Sequence, residues 1–483
     1  MNMSMNEEIL FFLQNQLQTN PQRLKNNIED SSKKKYPQRH AFIKLKKYLD
    51  EFMKGHKEQR WIIMPGLRGV GKTTLLSQIY FYCLENFQEL DRQKIIYISV
   101  DDLKNKLDVS LDDALSGYFE ILRTRIEELN HPVILLLDEV QYDANWAKIL
   151  KTAWDKTKNL FIFCSGSSAI SLQTNPDATR RSVVEKIYPV SFGEFLMIKY
   201  GILPEKSLKK DLKEAIYFSS TAEEVFRKLK KIEKRTLLAW TASPRLAQIE
   251  YLETGSLPFA INAPNKEKVY ETIDLLLDKI ISKDIQSLGK FDSDTLGIIK
   301  RLLFIVAESD TTSYSTLEKL LPIKRITIMN VFDVLEKAEL IIKVSAYGSS
   351  TTVAKKPAKY LFMSPAIRQA LMSITGLTGT LKTREGKLIE DVVGMHLYKE
   401  FITPSIATLT YDSAQSGADF ILQFRDQRQI AIEVGRGKKG SRQLLNTMKK
   451  VKCNYGLSFG KNELFLHKED HIVQIPSYYF LLM

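Results

Sequence analysis

Two glycines, a lysine and a threonine stand at the spacing of a phosphate-binding loop. Gly66 and Gly71 have four residues between them, and Lys72 and Thr73 follow directly. In such a loop successive backbone N–H groups wrap phosphates, the lysine reaches the β and γ oxygens, and the hydroxyl binds Mg²⁺. The run therefore predicts that ATP and Mg²⁺ are bound by the loop residues Gly66, Leu67, Arg68, Gly69, Val70, Gly71, Lys72, Thr73 and Thr74.

The segments on either side of this loop have the patterns that its chemistry requires. Before it, residues 61–64 are a short apolar run of strand type. After it, apolar residues recur at helical spacing: Leu75, Leu76, Ile79, Tyr80 and Cys83. This order brings the positive end of a helix to the phosphates. The alternative, a glycine-rich turn with a surface lysine, does not require these flanking elements.

Two adjacent acidic residues, Asp138 and Glu139, follow an uninterrupted apolar run at residues 133–137. Such a run is typical of a central parallel strand that is buried on both faces. The carboxyl ends of these strands are where open α/β sheets bind ligands. We expect Asp138 to hold the Mg²⁺ and Glu139 to orient or deprotonate the attacking water. The glutamate favours hydrolysis over binding alone.

Several motifs together resemble the prokaryotic AAA-type ATPases related to the archaeal ATPase group. The similarity includes the phosphate loop, the Leu-Leu-Leu-Asp-Glu-Val-Gln run, Ser-Gly-Ser-Ser-Ala and Pro-Val-Ser-Phe-Gly-Glu-Phe-Leu. It continues at residues 251–258, where Ser256 replaces a glycine of the family, and at Lys283-Asp284-Ile285. The resemblance covers nearly the whole chain. It implies an α/β ATPase core with lysine, glutamate and sensor residues acting in catalysis.

In such ATPases a third strand lies between the loop strand and the acidic strand, and a polar residue at its tip senses the γ-phosphate. Residues 159–164 fit this strand, so Ser165 or Ser167 would be the sensor. An ordinary serine-rich turn is an equally weighted alternative. Arg180 or Arg181 would complete the site of a neighbouring protomer in a homo-oligomer. The alternative for both is a plain surface arginine.

Composition indicates a cytoplasmic protein of several domains. The chain has 483 residues, of which 44% are hydrophobic and 26% charged, as in globular proteins. It contains no apolar run of about 18 residues, so no membrane partner is expected. Its N-terminal residues lack the pattern of a secretory signal. The cysteines, Cys83, Cys164 and Cys453, lack metal-binding spacing, so we expect reduced thiols.

The predicted architecture has five parts. It consists of an N-terminal helical segment (1–55), the ATPase core (56–200), a helical lid (201–290), a winged-helix domain (291–376) and an α/β restriction-endonuclease-like domain (377–483). The winged helix is predicted from three amphipathic helices followed by a hairpin of residues 340–344 and 358–362. Its third helix would offer Lys324, Arg325, Thr327 and Asn330 to DNA, and its wing Lys355, Lys356 and Lys359. The alternative is a module that only packs against protein.

The C-terminal part resembles the PD-(D/E)XK nuclease core. The resemblance implies that Glu390 on a helix, Asp419 at the start of one strand and Glu433 on the next surround Mg²⁺. The signature then requires a lysine two residues after the glutamate, and this chain has Gly435 there. Either Lys438 has taken over the role of the base, or the fold persists without catalysis. We expect the second.

A net charge of +13 and a pI near 9.2 favour DNA as a partner. The excess concentrates between residues 425 and 461, whereas the lysines of residues 206–234 alternate with acids as on a solvated helix. The basic residues of the first stretch are Arg425, Arg428, Arg436, Lys438, Lys439, Arg442, Lys449, Lys450, Lys452 and Lys461. Three functions stay open: an ATP-driven switch that acts with DNA, an ATP-controlled nuclease, and a signalling ATPase whose C-terminal domain mediates assembly.

Overall fold

A computed structural model describes residues 4–30, 32–88, 90–166, 179–203, 205–289, 291–374, 381–435, 440–460 and 463–483. The chain groups into two compact units, Met1–Tyr188 and Pro189–Met483. The five-part division predicted from the sequence stays a prediction. No helix within the described ranges is both long and apolar enough to cross a membrane.

The first unit is built on a parallel five-stranded sheet with the order β2-β3-β4-β1-β5. Its strands are β1 (Trp61–Pro65), β2 (Ile95–Ser99), β3 (Val133–Asp138), β4 (Leu160–Gly166) and β5 (Val183–Val184). Its helices are Met5–Asn26, His40–Met53, Lys72–Asn86, Val100–Leu107, Leu111–Ile121 and Trp146–Lys156. Short 3₁₀ turns lie at Arg92–Lys94, Ile126–Glu128 and Val140–Tyr142.

The core of this unit lies on both faces of the sheet, since every residue of β1, β3 and β4 is buried. This burial explains the apolar runs without alternation that the sequence shows. β4 lies between β1 and β3, as the resemblance implied, with Ile62 in register with Phe163. The tips of β1, β3 and β4 therefore meet at one edge, where the candidate residues follow.

The second unit contains an eight-stranded mixed sheet with the order β12-β13-β11-β10-β9-β8-β6-β7. Its strands are β6 (Ile341–Ala346), β7 (Lys359–Phe362), β8 (Ala407–Tyr411), β9 (Phe420–Phe424), β10 (Gln429–Val434), β11 (Tyr455–Phe459), β12 (Phe465–His467) and β13 (Ile472–Ile475). Its α-helices are Phe192–Tyr200, Lys206–Tyr217, Ala222–Thr241, Ala247–Glu250, Lys266–Lys279, Gln286–Leu288, Ser293–Glu308, Tyr314–Leu320, Arg325–Lys337, Ser350–Lys355, Pro365–Ile374, Leu381–Leu397, Gly440–Val451 and Ser477–Leu481. π-Helical turns lie at Tyr251–Gly255, Ile280–Ile285 and Tyr398–Ile402, and a 3₁₀ turn lies at Pro258–Ala260.

The hairpin predicted after the three helices is present, but it is not a separate wing. β6 and β7 pair antiparallel, with Ile342 in register with Leu361. The other edge of β6 pairs with β8 in parallel, which merges the hairpin into the C-terminal sheet. The hairpin tip carries the short helix Ser350–Lys355 instead of a simple loop. As a result, β7 begins inside the unit and not in solvent.

Candidate functional site

The loop between β1 and the helix Lys72–Asn86 has the backbone that its glycines permit. Gly69 and Gly71 have φ of +86° and +93°, in the left-handed region that side chains disfavour. Gly66 is required for space, because a Cβ at this position would lie 2.3 Å from the carbonyl oxygen of Ile187. The loop is therefore closely fitted to the segment that ends the first unit.

The Lys72 side chain is held under the loop. It is 5% exposed, and its Nζ donates to the carbonyl oxygens of Gly66 at 2.8 Å and Leu67 at 3.2 Å. These bonds keep the ammonium at the place where the loop would enclose phosphates.

Asp138 is the centre of the predicted metal site. The Thr73 hydroxyl donates to its Oδ2 at 2.6 Å, the Tyr97 hydroxyl donates to the same oxygen at 2.9 Å, and the Ser165 hydroxyl donates to Oδ1. Burial raises the pKa of Asp138, as does the charge of Glu139, and the three hydroxyl donors act in the opposite direction. A carboxylate next to a hydroxyl is the hard oxygen donor set that Mg²⁺ prefers, so these residues fit that ion.

Glu139 lies directly beyond the tip of β3. Its backbone is left-handed, with φ of +56°, and its N–H donates to the Ser165 hydroxyl at 3.4 Å. Arg68 of the loop places Nη2 at 3.8 Å from Glu139 Oε2, and the Gln141 amide donates to the same oxygen. The proposed base is thus held against the loop by defined contacts.

Tyr97 belongs to this site, although the sequence did not single it out. It lies on β2, which pairs with β3, and its hydroxyl reaches Asp138 across the strands. A tyrosine within the otherwise apolar strand 95–98 was a weak signal, because buried tyrosine hydroxyls usually bond to a partner.

The other predicted residues of the first unit have different environments. Ser167 lies outside the described residues. Arg181 donates from Nε to Asp155 Oδ1 at 2.8 Å, and Arg180 is exposed. Their contribution to a neighbouring protomer stays a prediction.

In the second unit, three predicted acids gather around a lysine that was expected elsewhere. We call Lys359, Glu390, Asp419 and Glu433 the acid–lysine cluster. The Lys359 Nζ contacts Glu390 Oε1 and lies 2.9 Å from Asp419 Oδ1. The Val434 N–H donates to the other oxygen of Asp419 at 2.8 Å. Among the described residues Glu433 Oε2 is buried without a hydrogen-bond partner.

The electrostatics of this cluster follow from burial. Burial raises the pKa of Glu390 to about 7, with Asp419 adding to the rise and Lys359 opposing it. Burial, and then the charge of Asp419, raises the pKa of Glu433 to about 8. For Lys359 burial acts to lower the pKa, but the carboxylates of Glu390 and Asp419 outweigh it and raise the pKa.

The prediction that Lys359 lies on an exposed wing is wrong. Its side chain is only 7% exposed, because β7 is part of the sheet and its first residue faces the helix Leu381–Leu397. Lys355 and Lys356, at the hairpin tip, are exposed, and their contact with DNA stays a prediction. Lys438, the predicted replacement base, lies outside the described residues.

A fully buried ion pair fixes the helix that carries Glu390. Arg368 donates from Nε to Asp391 Oδ2 at 2.6 Å and from Nη2 to Oδ1 at 2.9 Å. Nη1 also donates to the carbonyl oxygen of Ala307, and Nη2 to that of Tyr360.

The described ranges contain no group of three or more His, Cys, Asp or Glu side chains with an arrangement that could hold a metal ion. The acid–lysine cluster has an ammonium between its carboxylates.

The predicted DNA-contacting residues are partly exposed. Lys324, Arg325 and Asn330 are exposed and Thr327 is half-buried. In the C-terminal stretch five basic residues are exposed: Arg425, Arg442, Lys449, Lys450 and Lys452. Two residues of the stretch form ion pairs, the exposed Lys450 with Asp412 at 2.6 Å and the half-buried Arg428 with Asp426 at 2.7 Å. The rest of that stretch lies outside the described residues, namely Arg436, Lys438, Lys439 and Lys461.

Two family models match parts of this chain. A family model described as an AAA domain matches residues 58–196. A second model, a domain of unknown function (DUF8612), matches residues 245–378. Among solved structures, the Walker-type ATPase paby2304 of Pyrococcus abyssi is 14% identical, with 70% of this chain and 95% of that chain covered and a TM-score of 0.37.

Two curated relatives come from Methanocaldococcus jannaschii. The uncharacterized protein MJ1544 is 27% identical over 168 residues, which is 33% of this chain and 35% of that protein. The uncharacterized protein MJ1637 is 36% identical over 441 residues, which is 91% of this chain and 88% of that protein. The chain therefore belongs to the same family as MJ1637 and carries an AAA domain within residues 58–196.

Proposed function

We propose that this chain binds ATP with Mg²⁺ and hydrolyses it to ADP and phosphate. The observation that carries the proposal is the 2.6 Å hydrogen bond from the loop threonine, Thr73, to Asp138. This bond connects the phosphate loop to the acidic strand. It also brings together the hydroxyl and carboxylate oxygens that would bind a nucleotide-bound Mg²⁺.

Each residue of the site then has a defined task. The N–H groups of residues 66–74 and the Lys72 ammonium bind phosphate oxygens. Thr73 and Asp138 hold the Mg²⁺, which supplies positive charge against the phosphates. Glu139 accepts a proton from the attacking water. Ser165 contacts both Asp138 and Glu139. It would act as the sensor of the γ-phosphate.

The test separates binding from turnover. Lys72→Ala should lose ATP binding, because it removes the cation at the β and γ phosphates. Glu139→Gln should bind ATP as the wild type does and turn over at least about 100-fold more slowly, because an amide is a poor base. Glu120→Gln, on an exposed face of the helix Leu111–Ile121, is the control. Unimpaired hydrolysis by Glu139→Gln contradicts the role given to Glu139.

We further propose that hydrolysis drives a switch acting with DNA. The support is charge placement: Arg442 and Lys449 are exposed and lie seven residues apart, on one face of the helix Gly440–Val451, and Lys452 follows its end. Such a face suits a phosphate backbone. The three helices and the hairpin of residues 293–362 would also contact DNA in the manner of a winged helix, through Lys324, Arg325 and Asn330.

A second candidate function is an ATP-controlled, Mg²⁺-dependent endonuclease. It is favoured by the gathering of Glu390 and Asp419 around Lys359 in the acid–lysine cluster. Because the ammonium occupies the space between the carboxylates, we expect a structural role for this cluster instead.

Incubation with plasmid and single-stranded DNA, with Mg²⁺ and with or without ATP, distinguishes these functions. Cleavage that disappears in Asp419→Ala supports the nuclease. Retention of DNA without cleavage supports the switch. If the protein neither cleaves nor retains DNA, the result supports a signalling ATPase whose C-terminal part mediates assembly.

A further inference from the structure

An arginine far from the phosphate loop in sequence is bonded to it. Arg39 immediately precedes the helix His40–Met53 and is 8% exposed. Its Nη1 donates to the carbonyl oxygen of Val70, inside the loop, at 2.7 Å. Its Nη2 donates to the carbonyl oxygen of Tyr188 at 2.9 Å. One guanidinium therefore joins the loop to the segment that ends the first unit.

The bond to Val70 determines where the next N–H group points. A trans peptide is planar, with its oxygen and its hydrogen on opposite sides, and the described residues contain no cis peptide bond. While Arg39 holds the Val70 oxygen, the Gly71 N–H must point away from Arg39. Gly71 is the residue immediately before the helix, where P-loop N–H groups meet phosphate.

The same segment also holds the beginning of the loop. The Ile187 N–H donates to the carbonyl oxygen of Pro65 at 2.8 Å. The Ile187 carbonyl oxygen lies so close to Gly66 that no side chain fits there. The start of the loop, at Gly66, and its interior, at Val70, are therefore both held against residues 187–188, the second through Arg39.

We propose that Arg39 is a positioning residue for the nucleotide loop, which presets the Gly71 N–H group towards the phosphates. This inference rests on the proposed binding of ATP. Arg39 acts through the loop backbone and not on the reacting atoms. Since phosphate is bound in the ground state and in the transition state alike, loss of Arg39 should weaken binding more than turnover.

The test measures the dissociation constant of ATP with Mg²⁺, and KM and kcat for its hydrolysis, in Arg39→Lys and Arg39→Met. Lysine keeps the charge but cannot bond to both carbonyl oxygens with a rigid fork. Because a hydrogen bond from a charged donor corresponds to roughly 10- to 100-fold in an equilibrium constant, the dissociation constant and KM should rise about 10-fold or more. The kcat at saturation should stay within about 3-fold of the wild type.

Arg60→Lys is the matched control. Arg60 is 4% exposed and also donates to a backbone carbonyl oxygen, that of Trp154 at 3.0 Å, but it precedes β1 at the end away from the loop. This variant should melt at a lower temperature and keep the ATP dissociation constant within about 2-fold, since its lost bond does not involve the loop.

A third variant, Arg39→Ala, leaves space for a free guanidinium ion. Millimolar guanidinium chloride, compared with sodium chloride, should partly restore ATP binding to Arg39→Ala and not to the other variants.

The outcomes separate the two proposals. A wild type that binds no ATP overturns the proposed function and this inference together. ATP binding by the wild type, with unchanged dissociation constants in both Arg39→Lys and Arg39→Met, overturns only the role of Arg39. A fall in kcat without a rise in KM also overturns it, because that result assigns Arg39 to the chemical step.

Discussion

Replacing Lys359 by methionine tests the acid–lysine cluster most directly. Methionine has a similar length and leaves the apolar contacts of the lysine stem, but it removes the only cation between Glu390 and Asp419 in the described cluster. The side chains of these acids are only 16% and 22% exposed, so water cannot replace the ammonium fully. The variant therefore leaves buried carboxylates without their counter-ion.

The size of the effect follows from this burial. Removing one partner of a buried ion pair costs about 3–5 kcal/mol of unfolding free energy. We expect the loss to approach this size at pH 9, which lies above the pKa values that Glu390 and Glu433 have while Lys359 is present. Since the cost comes from uncompensated charge, protonation of Glu390 and Glu433 should relieve much of it at pH 5.5.

The sign of the pH dependence follows from the pKa shifts. Burial raises the pKa of Glu390 to about 7 and that of Glu433 to about 8, against an ordinary value of 4.5. Between pH 4.5 and 8 the folded state therefore binds more protons than the unfolded state, and the unfolding free energy falls as the pH rises. Lys359 lowers both pKa values, so its removal should extend this fall to higher pH.

Urea denaturation followed by circular dichroism at pH 5.5, 7 and 9 measures these changes. Lys343→Met is the control, because Lys343 lies on β6 in register with Tyr360 but is exposed, and its loss should cost less than about 0.5 kcal/mol. Mn²⁺ should restore stability to Lys359→Met alone, by binding the freed carboxylates. A loss below about 1 kcal/mol at pH 9, or a loss that does not change with pH, would refute the reasoning.

Two further predictions concern the proposed functions. Tyr97→Phe removes a hydrogen-bond donor to Asp138, so the pKa of Asp138 should rise. The acid limb of the ATPase pH profile should then move to higher pH, and the unfolding free energy should fall by about 1.5–3 kcal/mol. The control is Tyr118→Phe, which loses a hydrogen bond to the Gln93 carbonyl oxygen and should leave that limb in place. Equal pH profiles in the two variants would show that Tyr97 does not tune the pKa of Asp138. Reversing Arg442, Lys449 and Lys452 to glutamate should reduce the slope of log affinity for DNA against log salt by about 2–3, at close to one per lost phosphate contact. The same reversal at Lys230, Lys231 and Lys234, on the helix Ala222–Thr241, should change it little, and an equal effect of both reversals would contradict a specific basic face.

Much of the candidate nucleotide site could be predicted because it is local in sequence. The glycines at 66, 69 and 71, the lysine at 72 and the threonine at 73 act through a backbone conformation that nearby residues determine. The structure adds the φ values and the hydrogen bonds of Lys72 to that loop. Buried strands could likewise be predicted, since their apolar runs report burial on both faces whatever the topology.

Contacts between distant segments could not be predicted from the residues alone. Tyr97 and Asp138 meet because β2 pairs with β3, and Arg39 reaches Val70 and Tyr188 across 31 and 149 residues. Neither contact leaves a pattern of spacing, since each depends on the pairing of strands and on the packing of a helix.

Lys359 shows the difference most clearly. Its sequence position, at the end of a basic, polar stretch before a strand, favours an exposed wing, and the motif of residues 433–435 indicates an acidic site without a lysine. The pairing of β6 with β8 brings β7 into the C-terminal sheet and Lys359 between Glu390 and Asp419. The sequence by itself determined which acids could form a site and which loop could bind phosphates. Only the tertiary structure decided which cation lies between those acids, because an ion pair depends on distance in space and not on separation along the chain.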